Sequence, residues 1–172
     1  MSMGDVTIRR GTAADLPWLG EADRLALELL EDKSLFMTED EAFAARHIQQ
    51  EGFILIAEAE GKAAAYLLVR LPGEAPDNLG RDADLPEEEL GRVAHMESVV
   101  VLPEYRGRGL QKRLLAAGEE EAGSRGFRWA MATVSPENPP SLRSFLACGY
   151  REAARKEKYG GVLRCVMIKE LE

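Results

Sequence analysis

The spacing of apolar and polar residues divides this chain into segments with a helical period and segments with the pattern of strands. Apolar residues recur every three or four positions in the helical segments, whereas the others hold short apolar or alternating runs. The predicted helices cover residues 16–30, 38–48, 110–122 and 138–146. The predicted strands cover residues 6–10, 53–59, 63–69, 93–102, 129–135, 151–158 and 162–169. This order, β-α-α-β-β-β-α-β-α-β-β, predicts a mixed α/β fold.

The whole chain, residues 1–172, is predicted to form a single domain, because 172 residues suit one core and the sequence contains no repeat, linker or low-complexity segment. The least regular stretch is 71–92, which is rich in proline, glycine and acidic residues. A loop of this length is usually functional or mobile. It is predicted to be either a solvated acidic loop or a flap over a binding site that favours cationic amines.

The most informative stretch is a valine-rich strand followed by a glycine-rich turn and a helix, residues 93–122. Gly107 and Gly109 surround Arg108 in the turn, and Arg106 precedes them. Free backbone N–H groups at a helix start, together with the helix dipole, form an anion site. Arginine also suits phosphate geometry. Residues 107–112 are therefore predicted to bind a phosphate or pyrophosphate.

The segment Arg106-Gly107-Arg108-Gly109-Leu110-Gln111 resembles the acyl-CoA pyrophosphate loop of the GNAT superfamily of N-acetyltransferases, whose motif is Gln/Arg-x-x-Gly-x-Gly/Ala. Arg106 and Gly109 match the motif, whereas Gln111 stands where Gly or Ala is usual. The element order along the whole chain is also similar to that family. The resemblance implies a twisted mixed sheet of six to seven strands flanked by about four helices.

The same resemblance implies that acetyl-CoA is the acetyl donor and that no metal takes part. In the family, the fourth strand carries a bulge and separates from the fifth, and its exposed backbone binds the pantetheine arm. The implied cofactor-binding residues of this chain are Val99, Val100, Val101, Arg106, Gly107, Arg108, Gly109, Leu110, Gln111, Lys112 and Asn138.

A protonated amine acceptor needs a base before it can attack a thioester. In the family this base is often a Glu or His on the fourth strand, and Glu97 and His95 occupy similar positions here. The strand period of two places both on one face. A Tyr often serves the family as general acid seven residues after the matching Asn. Phe145 stands at that position in this chain, so the general acid stays unassigned.

Amino-acid composition narrows the classes of partner that this protein is expected to bind. The formal net charge of −8 argues against nucleic-acid binding, and no apolar run is long enough to cross a bilayer. Two cysteines without metal or redox spacing and the lack of an apolar leader predict a cytoplasmic protein. The expected partner is a small-molecule or peptide amine, and the family resemblance is compatible with a homodimer. The sequence does not identify the acceptor.

Two other functions are weighed against an N-acetyltransferase. A non-catalytic acyl-CoA-binding or sensor module of the same fold would explain Phe145. A dinucleotide-binding domain would need an acidic residue at the end of the strand after the glycine-rich helix. Residues 129–135 supply none, so this function is ranked last.

Overall fold

The computed structural model describes residues 5–28, 51–158 and 161–171, and it contains one seven-stranded sheet. The strands are β1 Val6–Arg10, β2 Gly52–Ala59, β3 Lys62–Arg70, β4 Val93–Val101, β5 Trp129–Val134, β6 Arg151–Lys158 and β7 Val162–Glu170. Their order in the sheet is β1-β2-β3-β4-β5-β7-β6. The pair β4–β5 is parallel and the other neighbours are antiparallel. The predicted mixed sheet is thus confirmed.

Three α-helices lie within the described residues: α1 Leu16–Glu28, α2 Leu110–Ser124 and α3 Pro139–Ala147. Short 3₁₀ segments cover Ala13–Asp15, Leu79–Arg81, Glu87–Arg92 and Pro103–Tyr105. The helix predicted over 38–48 lies outside the described residues, as does the tip of the turn between β6 and β7.

The helices cover both faces of the sheet, which explains the continuous apolar run of β2. Phe53 and Leu55 pack with the buried residues of α2, whereas Ile54 and Ile56 pack with those of α1. A strand buried on both faces loses the polar–apolar alternation of a surface strand. Phe145 of α3 belongs to the same cluster as α2.

The segment 71–92 differs from the predicted loose loop, because it folds into two short 3₁₀ turns that pack on the sheet. Leu79 is buried against Val93, Met131 and Ile168 of β4, β5 and β7. Sequence periodicity does not reveal this packing, since the two buried leucines, Leu79 and Leu90, stand eleven positions apart among acidic residues and form no repeat.

The backbone of β4 is irregular at one residue. Leu68 of β3 pairs with Ser98, but the next residue, Val69, pairs with Met96, so Glu97 is an extra residue without a partner. Such a β-bulge bends a strand and redirects the nearby side chains. The parallel pairing of β4 with β5 ends at His95 and Met131. Beyond this point the edge of β4 is no longer paired with β5.

Candidate active site

A cavity of about 750 Å³ lies where β4 and β5 separate, between the sheet and the starts of α2 and α3. Its lining includes all of β4 from Met96 to Val101, the turn before α2, and the first turn of α3. The unpaired edge of β4 therefore borders a space large enough for an extended ligand. Its walls combine apolar side chains with polar and charged ones, such as those of Gln111 and Lys112.

The turn before α2 has the geometry of an anion cradle. Gly107 and Gly109 have φ angles of 78° and 75°, in the left-handed region that favours glycine. Gly109 is the N-cap of α2, and no side chain of the described residues caps the helix. The N–H groups of its first turn are thus free to bind a ligand. The Nε of Arg106 donates to the carbonyl of Val101 at 3.2 Å, which ties the turn to the end of β4.

All but one of the predicted cofactor-binding residues line this cavity. The lining contains Val99, Val100, Val101, Arg106, Gly107, Gly109, Leu110, Gln111, Lys112 and Asn138. Arg108 is not among the lining residues, and its guanidinium lies 5.4 Å from the ring centre of Tyr105. The sequence shows two arginines beside the glycines but does not show which one faces the ligand. Asn138 is the N-cap of α3, and its side chain makes no capping hydrogen bond.

His95 and Glu97 lie together, as the strand period predicts. Nδ1 of His95 is 3.4 Å from Oε2 of Glu97. The His95 residue is only 2% exposed. Its Nε2 accepts a hydrogen bond of 3.0 Å from the backbone N–H of Leu79. The two candidate bases are therefore different: Glu97 lines the large cavity, whereas both nitrogens of His95 face protein groups.

A second cavity, of about 140 Å³, adjoins the first and shares Met96, Glu97 and Thr133 with it. Two hydrogen bonds of 2.8 and 2.9 Å join Arg70 to Asp77 in this cavity. Through these bonds Arg70 holds the pKa of the Asp77 carboxyl below its ordinary value, and Asp77 raises the pKa of Arg70. Glu97 thus stands between the two cavities, with a charged pair in the smaller one.

The aromatic residues near α3 do not supply an evident acid. Phe145 is buried and lies edge-on to Tyr150, with ring centres 5.1 Å apart. The Tyr150 hydroxyl donates to Glu119 at 2.8 Å, away from both cavities. Burial, with the Glu119 carboxylate as the next cause, raises the pKa of Tyr150. A phenol held in this way is a poor proton donor to the large cavity.

Sequence reasoning missed Arg70, Asp77 and the N–H of Leu79. Arg70 ends the apolar strand β3, and its register partner in β4 is His95. A lone arginine at the end of an apolar strand is a weak signal in a sequence. Its place beside Glu97 depends on the pairing of β3 with β4, which the sequence pattern does not fix. Among the described residues, no group of acidic, His and Cys side chains could hold a metal, and no helix is long and apolar enough to span a membrane.

The sequence of this chain is similar to those of several known proteins. The model of the acetyltransferase (GNAT) family matches residues 21–150. An aminoglycoside N(6')-acetyltransferase type 1 of Salmonella typhimurium is 36% identical over 63 residues, which are 37% of this chain and 43% of that protein. The match thus spans less than half the length of that relative. The L-2,4-diaminobutyric acid acetyltransferase of Nocardia farcinica is 26% identical over 89% of this chain and 72% of its own length.

A solved structure shares the fold along nearly the whole chain. The protein yncA of Salmonella typhimurium, solved with its cofactor acetyl-CoA, superposes with a TM-score of 0.71. The two proteins are 22% identical, and the superposition covers 98% of this chain and 95% of yncA. At this identity the similarity concerns the fold.

Proposed function

This chain belongs to the acetyltransferase (GNAT) family, and on that premise we propose that it transfers an acetyl group from acetyl-CoA to a primary amine. The observation that carries the proposal is the bulged Glu97, a carboxylate on the shared wall of two adjoining cavities. One cavity would hold the acetyl donor and the other the acceptor amine. Glu97 would act where they meet.

The large cavity suits the acetyl donor. The first-turn N–H groups of α2, with Arg106 and Lys112 nearby, would bind the pyrophosphate. Each such charge-assisted hydrogen bond contributes about 1.5–3 kcal/mol. The unpaired backbone of Val99, Val100 and Val101 would hydrogen-bond the pantetheine arm, and Asn138 would contact it from the start of α3.

The small cavity suits an amine of limited size. A protein cavity of about 150 Å³ holds a molecule as large as benzene, so about 140 Å³ admits a small amine or the end of a longer one. Its charged groups are Glu97, Asp77 and Arg70, which leave a net charge of −1 with His95 neutral. This balance favours a cationic acceptor. Two relatives are an aminoglycoside N(6')-acetyltransferase and an L-2,4-diaminobutyric acid acetyltransferase, and both of these substrates carry amines.

The proposed chemistry uses few groups of this chain. Glu97 takes a proton from the ammonium, directly or through a water, and the amine nitrogen then attacks the thioester carbonyl carbon. A C–N bond forms, the C–S bond breaks, and the electron pair leaves with the CoA sulfur, while the attacking nitrogen loses its remaining extra proton to solvent. Because Phe145 has no proton to give and Tyr150 is held by Glu119, neither residue protonates the thiolate, which takes its proton from solvent.

The test is acetyl-CoA-dependent thiol release over a panel of amines. Glu97→Gln keeps the side-chain shape but cannot accept the proton, so we expect kcat/KM to fall about 10²–10⁴-fold. Acetyl-CoA affinity should stay nearly unchanged, because the anion cradle lies elsewhere. Glu88→Gln makes the same charge change at an exposed site and should retain full activity.

Full activity of Glu97→Gln would refute its role as base.

The second candidate function, a non-catalytic acyl-CoA sensor, is favoured by Phe145 at the position where the family often has Tyr. In that case acetyl-CoA would bind by calorimetry, and no amine of the panel would release CoA. Amine-dependent release by the wild-type protein, lost in Glu97→Gln, would exclude the sensor.

A further inference from the structure

We propose that His95 is a positioning residue, through which the backbone N–H of Leu79 sets the orientation of the Glu97 carboxylate. This inference rests on the proposed function, because it assigns Glu97 the role of base. It differs from the expectation that His95 itself is a base. The path comprises the segment 78–80, the imidazole and the carboxylate.

The hydrogen bonds of His95 determine its tautomer. A backbone N–H can only donate, so the 3.0 Å contact from Leu79 requires a lone pair on Nε2. A neutral imidazole then carries its proton on Nδ1, the nitrogen that lies 3.4 Å from Oε2 of Glu97. The only lone pair of the ring is therefore already used. His95 cannot accept a proton from an amine without losing the bond to Leu79.

The N–H of Leu79 is held in place by the residue before it. Asn78 is fully buried. Its Nδ2 donates to the carbonyls of Gly73 at 2.8 Å and Leu90 at 2.9 Å, and its Oδ1 accepts from the N–H of Gly80 at 2.8 Å. One side chain thus joins both ends of the segment 73–90. The buried side chain of Leu79 fixes the same turn to the sheet.

This path places a ring N–H beside the Glu97 carboxylate, where both residues line the smaller cavity. A base whose partner is itself oriented by a third group is a general arrangement in enzymes. Two charged groups face the pair from other elements: Arg70 of β3 interacts electrostatically with Glu97, and Asp77 of the loop with His95. Arg70 and Asp77 bind each other through two hydrogen bonds. Arg70 thus donates to Asp77, and the Nδ1–H of the neutral His95 ring is the donor that lies beside Glu97.

Two substitutions separate the two contacts of the ring. His95→Gln can place an amide oxygen near the former Nε2 and keep the bond to Leu79, but it has no donor at the position of Nδ1. His95→Asn can place an NH₂ group near the former Nδ1 and keep the donor to Glu97, but it does not reach Leu79. Both variants lack a titratable ring, so a direct role of His95 as base predicts equal loss in the two.

For the positioning role we expect different results in the two variants of the full-length protein. In His95→Gln, kcat should fall about tenfold or more, because the ring N–H that lies 3.4 Å from the Glu97 carboxylate is removed. The acidic limb of its pH–rate profile should move to higher pH, because the carboxylate loses a donor. In His95→Asn the acidic limb should stay in place, while the Leu79 amide should exchange faster than in wild type.

A third measurement does not depend on activity. Nitrogen NMR of the wild-type protein should find the proton of His95 on Nδ1 and a bare Nε2. A proton on Nε2, or equal loss of activity with unchanged pH profiles in both variants, would overturn the positioning role while Glu97 could still be the base. Full activity of Glu97→Gln would instead overturn the proposed base and leave the NMR result for His95 unaffected.

Discussion

Replacing Gly109 by valine tests the anion cradle at its most constrained residue. Gly109 has φ 75° and ψ 17° at the N-cap of α2. This left-handed conformation costs an ordinary L-residue roughly 1–2 kcal/mol, and a β-branched side chain is among the least tolerant. A Cβ at Gly109 would meet no protein atom within 4 Å. The cost to folding is thus conformational, and the new isopropyl group would stand in open space beside the cavity.

The effect on binding can be separated from the effect on folding by its size. Loss of one charge-assisted hydrogen bond to the pyrophosphate removes about 1.5–3 kcal/mol, so acetyl-CoA affinity should fall at least tenfold, which is about 1.4 kcal/mol. A domain that starts with 5–15 kcal/mol of stability stays almost fully folded after losing roughly 2 kcal/mol. Unfolding therefore cannot produce a tenfold change in apparent affinity.

Gly61→Val is the matched control. Gly61 has φ 80° in the turn between β2 and β3, a Cβ there also meets nothing within 4 Å, and the residue lines neither cavity. Urea unfolding should show a similar loss of stability in both variants, and calorimetry should show weaker acetyl-CoA binding only for Gly109→Val. Unchanged affinity of Gly109→Val would refute the cradle. An equal loss of affinity in both variants would attribute the effect to strain.

Two further predictions concern stability. Gly52→Ala should destabilise the protein by about 1–3 kcal/mol in urea unfolding, because the new Cβ would lie 1.9 Å from the carbonyl oxygen of Val69. Gly20 lies in an open part of α1, so Gly20→Ala should instead stabilise the protein slightly. Asp23 accepts a hydrogen bond from Tyr66, but burial is the larger effect and raises the pKa of Asp23. The protonated, buried carboxyl therefore contributes to the free energy of unfolding at low pH, and this contribution is lost as pH rises through the folded-state pKa. Asp23→Asn should therefore gain more stability over wild type at about pH 7.5 than at about pH 4, and an equal difference at both pH values would contradict this.

Local patterns were sufficient to predict the strands, the described helices and the glycine-rich turn before α2, because each depends on residues close together in the sequence. The stretch from Val93 to Leu110 is an example: the valine-rich strand, the two glycines and the helix start are contiguous. The same stretch predicted that His95 and Glu97 share a face of β4, since a strand places alternate residues on one face.

The features that distinguish the two candidate bases could not be predicted in this way. The bond from Leu79 to His95 joins residues 16 positions apart. It depends on Asn78, which has no periodic signal within an acidic segment. The orientation of Arg108 over Tyr105 instead of toward the cavity depends on the exact turn geometry. Both are consequences of tertiary packing, and sequence patterns alone do not contain that information.

The bulge at Glu97 connects the backbone of the sheet with the proposed chemistry. A carboxylate in the middle of a sheet buried on both faces is costly unless it has polar partners. As the extra residue of a bulge, Glu97 has no partner in β3, so its side chain need not fill a place in the apolar core. The same irregularity lies next to the point where β4 leaves β5, and Glu97 borders both cavities. The Nδ1 atom of His95, 3.4 Å away, offers the carboxylate a polar partner. The bulge therefore accounts for the position of the proposed base, Glu97, at the border of the two cavities.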